Sequence, residues 1–257
     1  MARTEYGIQM WSVRDVSKDS MRMTLEKLAA MGYKYIEFAG FYDYLPEQIK
    51  LWLDQFGLVC SGTHAGIGAL TAEKIDETIR YHKIIGCDNI IIPGCDWSTK
   101  EKAKNVIDAI NFAEKKLAEN GIRLGYHNHS KEFFPSADGI VFEDMVKAET
   151  KVELEIDTWW AFNAGLDVIS FLEENKARIR VIHLKDGIPS ADDCKNFDHV
   201  HDGVKGLSVG SGKNNIPAIV DWANKNGVLM VIESEGLDPT GLEEVGRCIE
   251  YLRTLED

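Results

Sequence analysis

LGYHNHSKEFF, from Leu124 to Phe134, puts two histidines and a glutamate directly after an apolar run of strand length. Three later runs end in the same chemistry: VELEIDTWW (Val152 to Trp160) delivers Asp157, IRVIHLKD (Ile179 to Asp186) delivers His183, and VLMVIESEG (Val228 to Gly236) delivers Glu233. A Val, Ile and Leu run is stabilised by burial, whereas an imidazole or carboxylate at its end is tolerated there only when something compensates it. Imidazoles and carboxylates brought together by four successive strand ends suit one divalent metal ion.

Outward from this stretch, apolar runs alternate with amphipathic ones along the whole chain. Eight strands are predicted, at Tyr6 to Trp11, Tyr33 to Ala39, Leu58 to His64, Asn89 to Pro93, Ile122 to His127, Val152 to Asp157, Ile179 to Leu184 and Val228 to Glu233. Helical faces lie between them, with Leu25, Leu28 and Ala29 in the first, Val106, Ile110, Ala113 and Leu117 in the fourth, and Leu242, Val245, Ile249 and Leu252 in the last. Ser98 with Glu101 and Thr240 with Glu243 have capping-box spacing, while Gly32, Gly86 and Gly121 read as helix stops. Eight βα units in 257 residues predict an α/β fold, a single (β/α)8 TIM barrel domain over residues 1–257. Such a barrel is filled by apolar side chains and does its chemistry where strands hand over to the following loops. Trp11, Glu37, His64, His127, Asp157, His183 and Glu233 all fall at such strand ends. The polar connection from Gly187 to Asn215, holding His199 and His201, is long enough to be a site cover.

Composition narrows the function. With 44% hydrophobic and 28% charged residues the chain is globular, and a net charge of -13 argues against nucleic acid and anionic membranes as partners. The five cysteines are odd in number and lack CxxC spacing, which reads as reduced thiols in a cytoplasmic protein. No run provides a signal-peptide core or approaches the ~18 apolar residues of a membrane span. Homo- and hetero-oligomers both remain open.

In the HNH triplet, His127 and His129 point the same way and Asn128 the other, so one histidine is free to ligate metal while the other meets substrate. Lys185 shares a face with His183 and is placed to stabilise a developing enolate oxygen, with Asp186 as its partner. Trp159 and Trp160, with Trp11 and Phe41, offer aromatic faces to the C–H faces of a sugar ring. The GSG at Gly210 to Gly212 offers backbone N–H groups to a phosphate, whereas His82 on the third helix reads as a structural histidine.

These residues together resemble one family. GIQMWSVRD (Gly7 to Asp15), GYKYIEFAGFY (Gly32 to Tyr42), GYHNHSKEF (Gly125 to Phe133), EIDTWW, HLKDG and IESEG, in this order, are similar to the xylose-isomerase-like barrels and to a YHNHxxEF branch of them. The resemblance implies one divalent ion, manganese before magnesium, cobalt or zinc, held by His127, Asp157, His183 and Glu233. Ketose epimerases of that superfamily carry a glutamate at the strand-five position and pair it with the strand-eight glutamate. Here His127 stands in that place, which argues against a symmetrical two-glutamate epimerase and leaves isomerisation, dehydration or elimination open. Some relatives in this branch resemble enzymes that cleave 3-keto-glycosides after a partner has oxidised the sugar. Ser211 departs from the branch, where an acid is common.

The expected activity is metal-assisted proton abstraction α to the carbonyl of a sugar or keto-sugar. His129 or Glu233 takes the proton, Lys185 holds the enolate, and Trp11, Glu37, His64, Glu132 and Trp159 contact substrate or relay protons. A 3-keto-glycoside lyase or dehydratase uses the same enolate chemistry, and a non-catalytic sugar-binding or partner subunit is the alternative outside enzymes. Endonuclease IV shares the barrel, but the acidic charge and the shortage of convergent histidines for a three-zinc site argue against a repair enzyme.

Overall fold

The computed structural model describes residues 4–256; the first three residues and the last of the expected 1–257 domain lie outside the described residues. Each predicted strand forms, all but the seventh trimmed at one or both ends: β1 Gly7–Gln9, β2 Tyr35–Phe38, β3 Val59–His64, β4 Asn89–Ile92, β5 Arg123–His127, β6 Glu153–Asp157 and β7 Ile179–Leu184. Two short strands follow, β8 Asp186–Ile188 and β9 Lys205–Leu207, before the last barrel strand, β10 Leu229–Ile232. The barrel closes in the order β1-β10-β7-β6-β5-β4-β3-β2, with every ladder parallel. Trp11 falls just beyond β1, in a 3₁₀ turn over Met10–Val13.

The helices obey their sequence signals. Thr240 caps the helix Gly241–Thr254, and Gly32 and Gly86 end theirs at φ +96 and +74, a left-handed conformation that is cheap only for glycine. The helix Lys100–Ala118 departs from expectation by one residue. Its cap is Thr99, because Ser98 is already engaged, donating its hydroxyl to Asp96 at 2.7 Å.

The barrel interior also departs from expectation, since its upper layer is polar. Gln9, Glu37, His127, Glu155, Asp157 and His183 are all buried there. Register explains how Glu37 fits: it lies opposite Gly62, where an added Cβ would stand 2.7 Å from the Ile91 side chain and 3.1 Å from the Glu37 carboxylate.

The long connection after β7 is tied down by Asp186, which corrects two expectations. Its carboxylate does not pair with Lys185; it accepts N–H groups from Gly187, Gly210, Gly212 and Asn214 at 2.8 to 3.1 Å. The glycine N–H groups at 210 and 212 are therefore spent inside the protein and are not presented to a phosphate. A Cβ at Gly212 would sit 2.2 Å from the same carboxylate, so the loop can approach only as glycine. Because four buried or part-buried donors lose one acceptor, Asp186→Ala is expected to destabilise the fold by about 2–4 kcal/mol, read as a lower urea midpoint. An unchanged midpoint would mean the loop is held by other contacts.

Candidate metal and active site

Strand alternation gathers the candidate ligands at the C-terminal mouth of the barrel. Donor atoms of His127, Asp157, His183 and Glu233 all lie within 4.8 Å of one another. Asp157 pairs in register with His183 across β6 and β7, and the Glu233 amide N–H donates to Leu184 at the end of β7. Asn128 points away as the alternation requires and clamps β5 to β6, accepting the Asp157 amide N–H at 3.0 Å and donating to its carbonyl at 3.3 Å. Asp157 has two tasks: Oδ1 caps the helix Thr158–Asn163 through the Trp160 N–H, while Oδ2 is buried with no hydrogen-bond partner among the described residues.

That orphaned oxygen tests the fit to a cation. His127 Nδ1 is engaged by Glu155 at 3.1 Å, leaving Nε2 4.0 Å from Asp157 Oδ2. Ion-to-ligand distances of about 2.0–2.2 Å put two ligands of one ion no more than about 4.4 Å apart, so the pair spans an ion without rearrangement. Charge agrees. Glu37, Glu155, Asp157 and Glu233 are four buried carboxyl groups facing one lysine buried among the described residues, Lys185, so the site has an excess of acidic groups that a divalent cation would offset.

A second group, His64, His127, Glu155 and His183, lies deeper. Glu155 ties it together, meeting His64 Nε2 at 2.8 Å and His127 Nδ1 at 3.1 Å, while His183 Nε2 meets Glu37 at 2.7 Å. Gln9 donates to Glu37 at 2.7 Å from below. Burial opposes the charged form of Glu37, yet His183 and His64 outweigh it and hold the carboxyl well below the usual range. Glu155 is pushed up to about 7 by burial and by Glu37. This layer orients the histidines above it, as outer partners of a metal site do. Glu37, expected as a substrate contact, is fully buried among these partners and does not line the cavity at the mouth. Glu155 went unremarked in the sequence, although its place two residues before Asp157 in LEID puts both on the inward face.

The other candidates divide. Trp11, His64, His127, His129 and Glu233 line a cavity of about 370 Å³ at the mouth. Trp11 is 46% exposed, with the Arg14 guanidinium 4.6 Å above its ring. Trp159 is fully buried and Phe41 stacks on Tyr81 at 4.3 Å, so neither offers a face to a sugar. Of the adjacent pair, Trp160 is the one nearer the site, close to His129 and under the Lys185 ammonium at 4.6 Å. Lys185 does not line the cavity. Its ammonium is held by Glu235 at 2.7 Å, with Glu233 and Asp157 at 3.6 and 3.9 Å. Glu132 turns into a neighbouring cavity and accepts the His129 amide N–H. His82 is structural, bonded to Thr63 and Thr78, and exposed His199 pairs with Asp202.

Electrostatics separates the acid–base groups. Burial, reinforced by the Lys185 charge, brings His129 down to about 3 and keeps its imidazole neutral at physiological pH. Burial would raise Glu233, but Lys185 and His183 overcome it and hold the carboxylate ionised. Burial raises Asp157 to about 7, with Lys185 opposing.

A sequence profile described as the xylose isomerase-like TIM barrel matches residues 25–255. The chain belongs to this family. An inosose dehydratase of Geobacillus kaustophilus is 22% identical over 188 residues, 63% of this chain, and the match spans 60% of that relative's length. Among solved structures, a sugar phosphate isomerase/epimerase from Parabacteroides distasonis superposes with a TM-score of 0.77 at 23% identity, covering 98% of this chain and 97% of that one. The IOLI protein with a bound zinc atom superposes with a TM-score of 0.73 at 13% identity, covering 98% of each chain. These likenesses establish the fold. Among the described residues, no helix is long and apolar enough to cross a membrane.

Proposed function

We propose that the protein is a divalent-metal-dependent carbohydrate enzyme that removes a proton α to the carbonyl of a sugar or keto-sugar. The observation that carries this reading is the juxtaposition of the four-ligand cluster with a neutral imidazole, His129, in one ring-sized cavity. A divalent ion held by His127, Asp157, His183 and Glu233, manganese for preference, would polarise a carbonyl and its neighbouring hydroxyl, making the adjacent C–H acidic enough for a side chain to remove.

The chain's own residues do the rest. His129 borders both cavities and is assigned as the base on that position; burial and the Lys185 charge make its free imidazole a weak base, and its proton affinity rises as negative charge develops on substrate beside it. Glu233, held ionised by Lys185 and His183, is also a weak base, and its place in the four-ligand cluster suits it to binding a cation. Lys185 keeps that carboxylate charged and adds a fixed positive charge behind the site where negative charge develops on substrate oxygen. Burial opposes protonation of His64, but Glu37 and Glu155 raise it to about 9, so it donates a hydrogen bond to a substrate hydroxyl at the cavity wall. His127, tied to Glu155, offers no second base on the opposite face.

Loss of a β-leaving group or return of the proton to one side follows, as the inosose dehydratase likeness supports. The thiols, unpaired at all five cysteines, suit a reducing cytoplasmic setting. Incubating manganese-loaded protein with inososes, keto-sugars and 3-keto-glycosides in deuterated water is expected to place deuterium on the carbon next to the carbonyl without free racemisation. No exchange into any of these substrates would refute the reading.

A further inference from the structure

The cavity at the metal cluster adjoins a second cavity of about 280 Å³, the two sharing Pro93 and His129 in their linings. Ligand cavities run about 300–1,000 Å³, so each of these stands near the small end of that range and the two together well inside it, which suits a ligand of two rings rather than one. The second cavity has its own chemistry. Trp97 is buried and stacked on Phe142, fixing its position, and Phe197 stands edge-on to Trp97 at 5.2 Å. Phe197 is only partly buried and Lys131 places its ammonium 5.4 Å from the ring. His201 packs on Trp160 at 4.8 Å, and its Nε2 is shielded with no hydrogen-bond partner among the described residues.

A cavity with aromatic walls and a shielded ring nitrogen fits a ring with an apolar face, aryl or the C–H face of a pyranose, that carries a polar substituent. It does not fit a phosphate, because Lys131 is accompanied by the acids Asp96 and Glu132. We propose that this second cavity is a subsite for a second ring, so that the substrate is a glycoside: its sugar occupies the metal cavity and its aglycone, an aryl group or a further pyranose, lies against Phe197 with a substituent bonded to His201. This rests on the sugar reading above and deepens it. His129 stands at the junction, beside the atoms that join the two rings. Beyond Phe197 and Ser98 the surface continues into a third cavity of about 480 Å³, so the far side of the aglycone is not closed off.

The test is calorimetric titration of manganese-loaded protein with phenyl and methyl 3-keto-glucosides of one anomeric configuration, and with a 3-keto disaccharide. The phenyl compound, the disaccharide, or both are expected to bind at least about ten-fold tighter than the methyl compound, and which of them does identifies the aglycone. In Phe197→Ala the ratio should fall to about one; metal content and melting temperature check its fold, and His201→Ala serves if it does not fold. Equal binding of all three would overturn the second-ring site and leave the sugar reading standing. No binding of any would overturn the sugar reading and this inference with it. A preference that survives both substitutions would place the ring elsewhere and also overturn the assignment.

Discussion

Glu233→Gln is expected to lower manganese affinity by more than about 100-fold and to abolish solvent-proton exchange into substrate. Loss of a mere outer partner costs about 10–100-fold, and removal of a ligand should exceed that. The substitution is close to isosteric, so the cavity keeps its shape. What changes is charge: the amide cannot balance Lys185, which lies 3.6 Å away, or His183, whose Nδ1 is 3.1 Å from the carboxylate. Stability should fall as well, since a buried cation that loses a partner is left partly uncompensated, although Glu235 at 2.7 Å still holds Lys185. Metal analysis after dialysis and calorimetric titration read the effect. Full metal content at unchanged affinity would remove Glu233 from the ligand set.

How much of this was legible in the sequence depends on range. Local signals carry the fold: β-branched runs such as Asn89–Ile92, caps such as Thr240 and stops such as Gly32 act within a few residues, and eight repetitions of strand and helix admit one closed architecture. The convergence of the candidate ligands was legible for the same reason, because strand parity alone directs His127, Asp157, His183 and Glu233 to one mouth. Parity also pointed to Glu155, but a carboxylate in mid-strand could be recognised only once His64, from the third strand, stood 2.8 Å from it. Pairing across the barrel is what separates Trp160 from Trp159: adjacent in sequence, one faces His129 and the other is sealed against Gly187, where only a glycine leaves room for its ring. Asp186 shows the same limit. Beside Lys185 it invites an ion pair, and nothing local reveals that a loop some 25 residues later folds its N–H groups onto the carboxylate.

The two strand-five histidines should separate cleanly by mutation. His127→Ala is expected to lower metal affinity markedly, since the imidazole is anchored through Nδ1 by Glu155 and aims Nε2 at the gap before Asp157. His129→Ala should leave metal bound and reduce proton exchange by roughly 10²–10⁴-fold, the usual worth of a positioned acid–base group. The asymmetry follows from their surroundings. Both imidazoles are kept neutral chiefly by burial, but His127 has a carboxylate at each nitrogen, Glu155 at 3.1 Å and Asp157 at 4.0 Å, whereas the ring of His129 borders both cavities, where a proton can be taken from substrate. In kinetic terms His129→Ala should lower kcat at little changed metal stoichiometry, while excess manganese should restore part of the activity of His127→Ala and none of that of His129→Ala. Rescue of His129→Ala by manganese would exchange the two roles. Reversible inversion at a ketose carbon that survives His129→Ala would show instead that a second base acts on the opposite face.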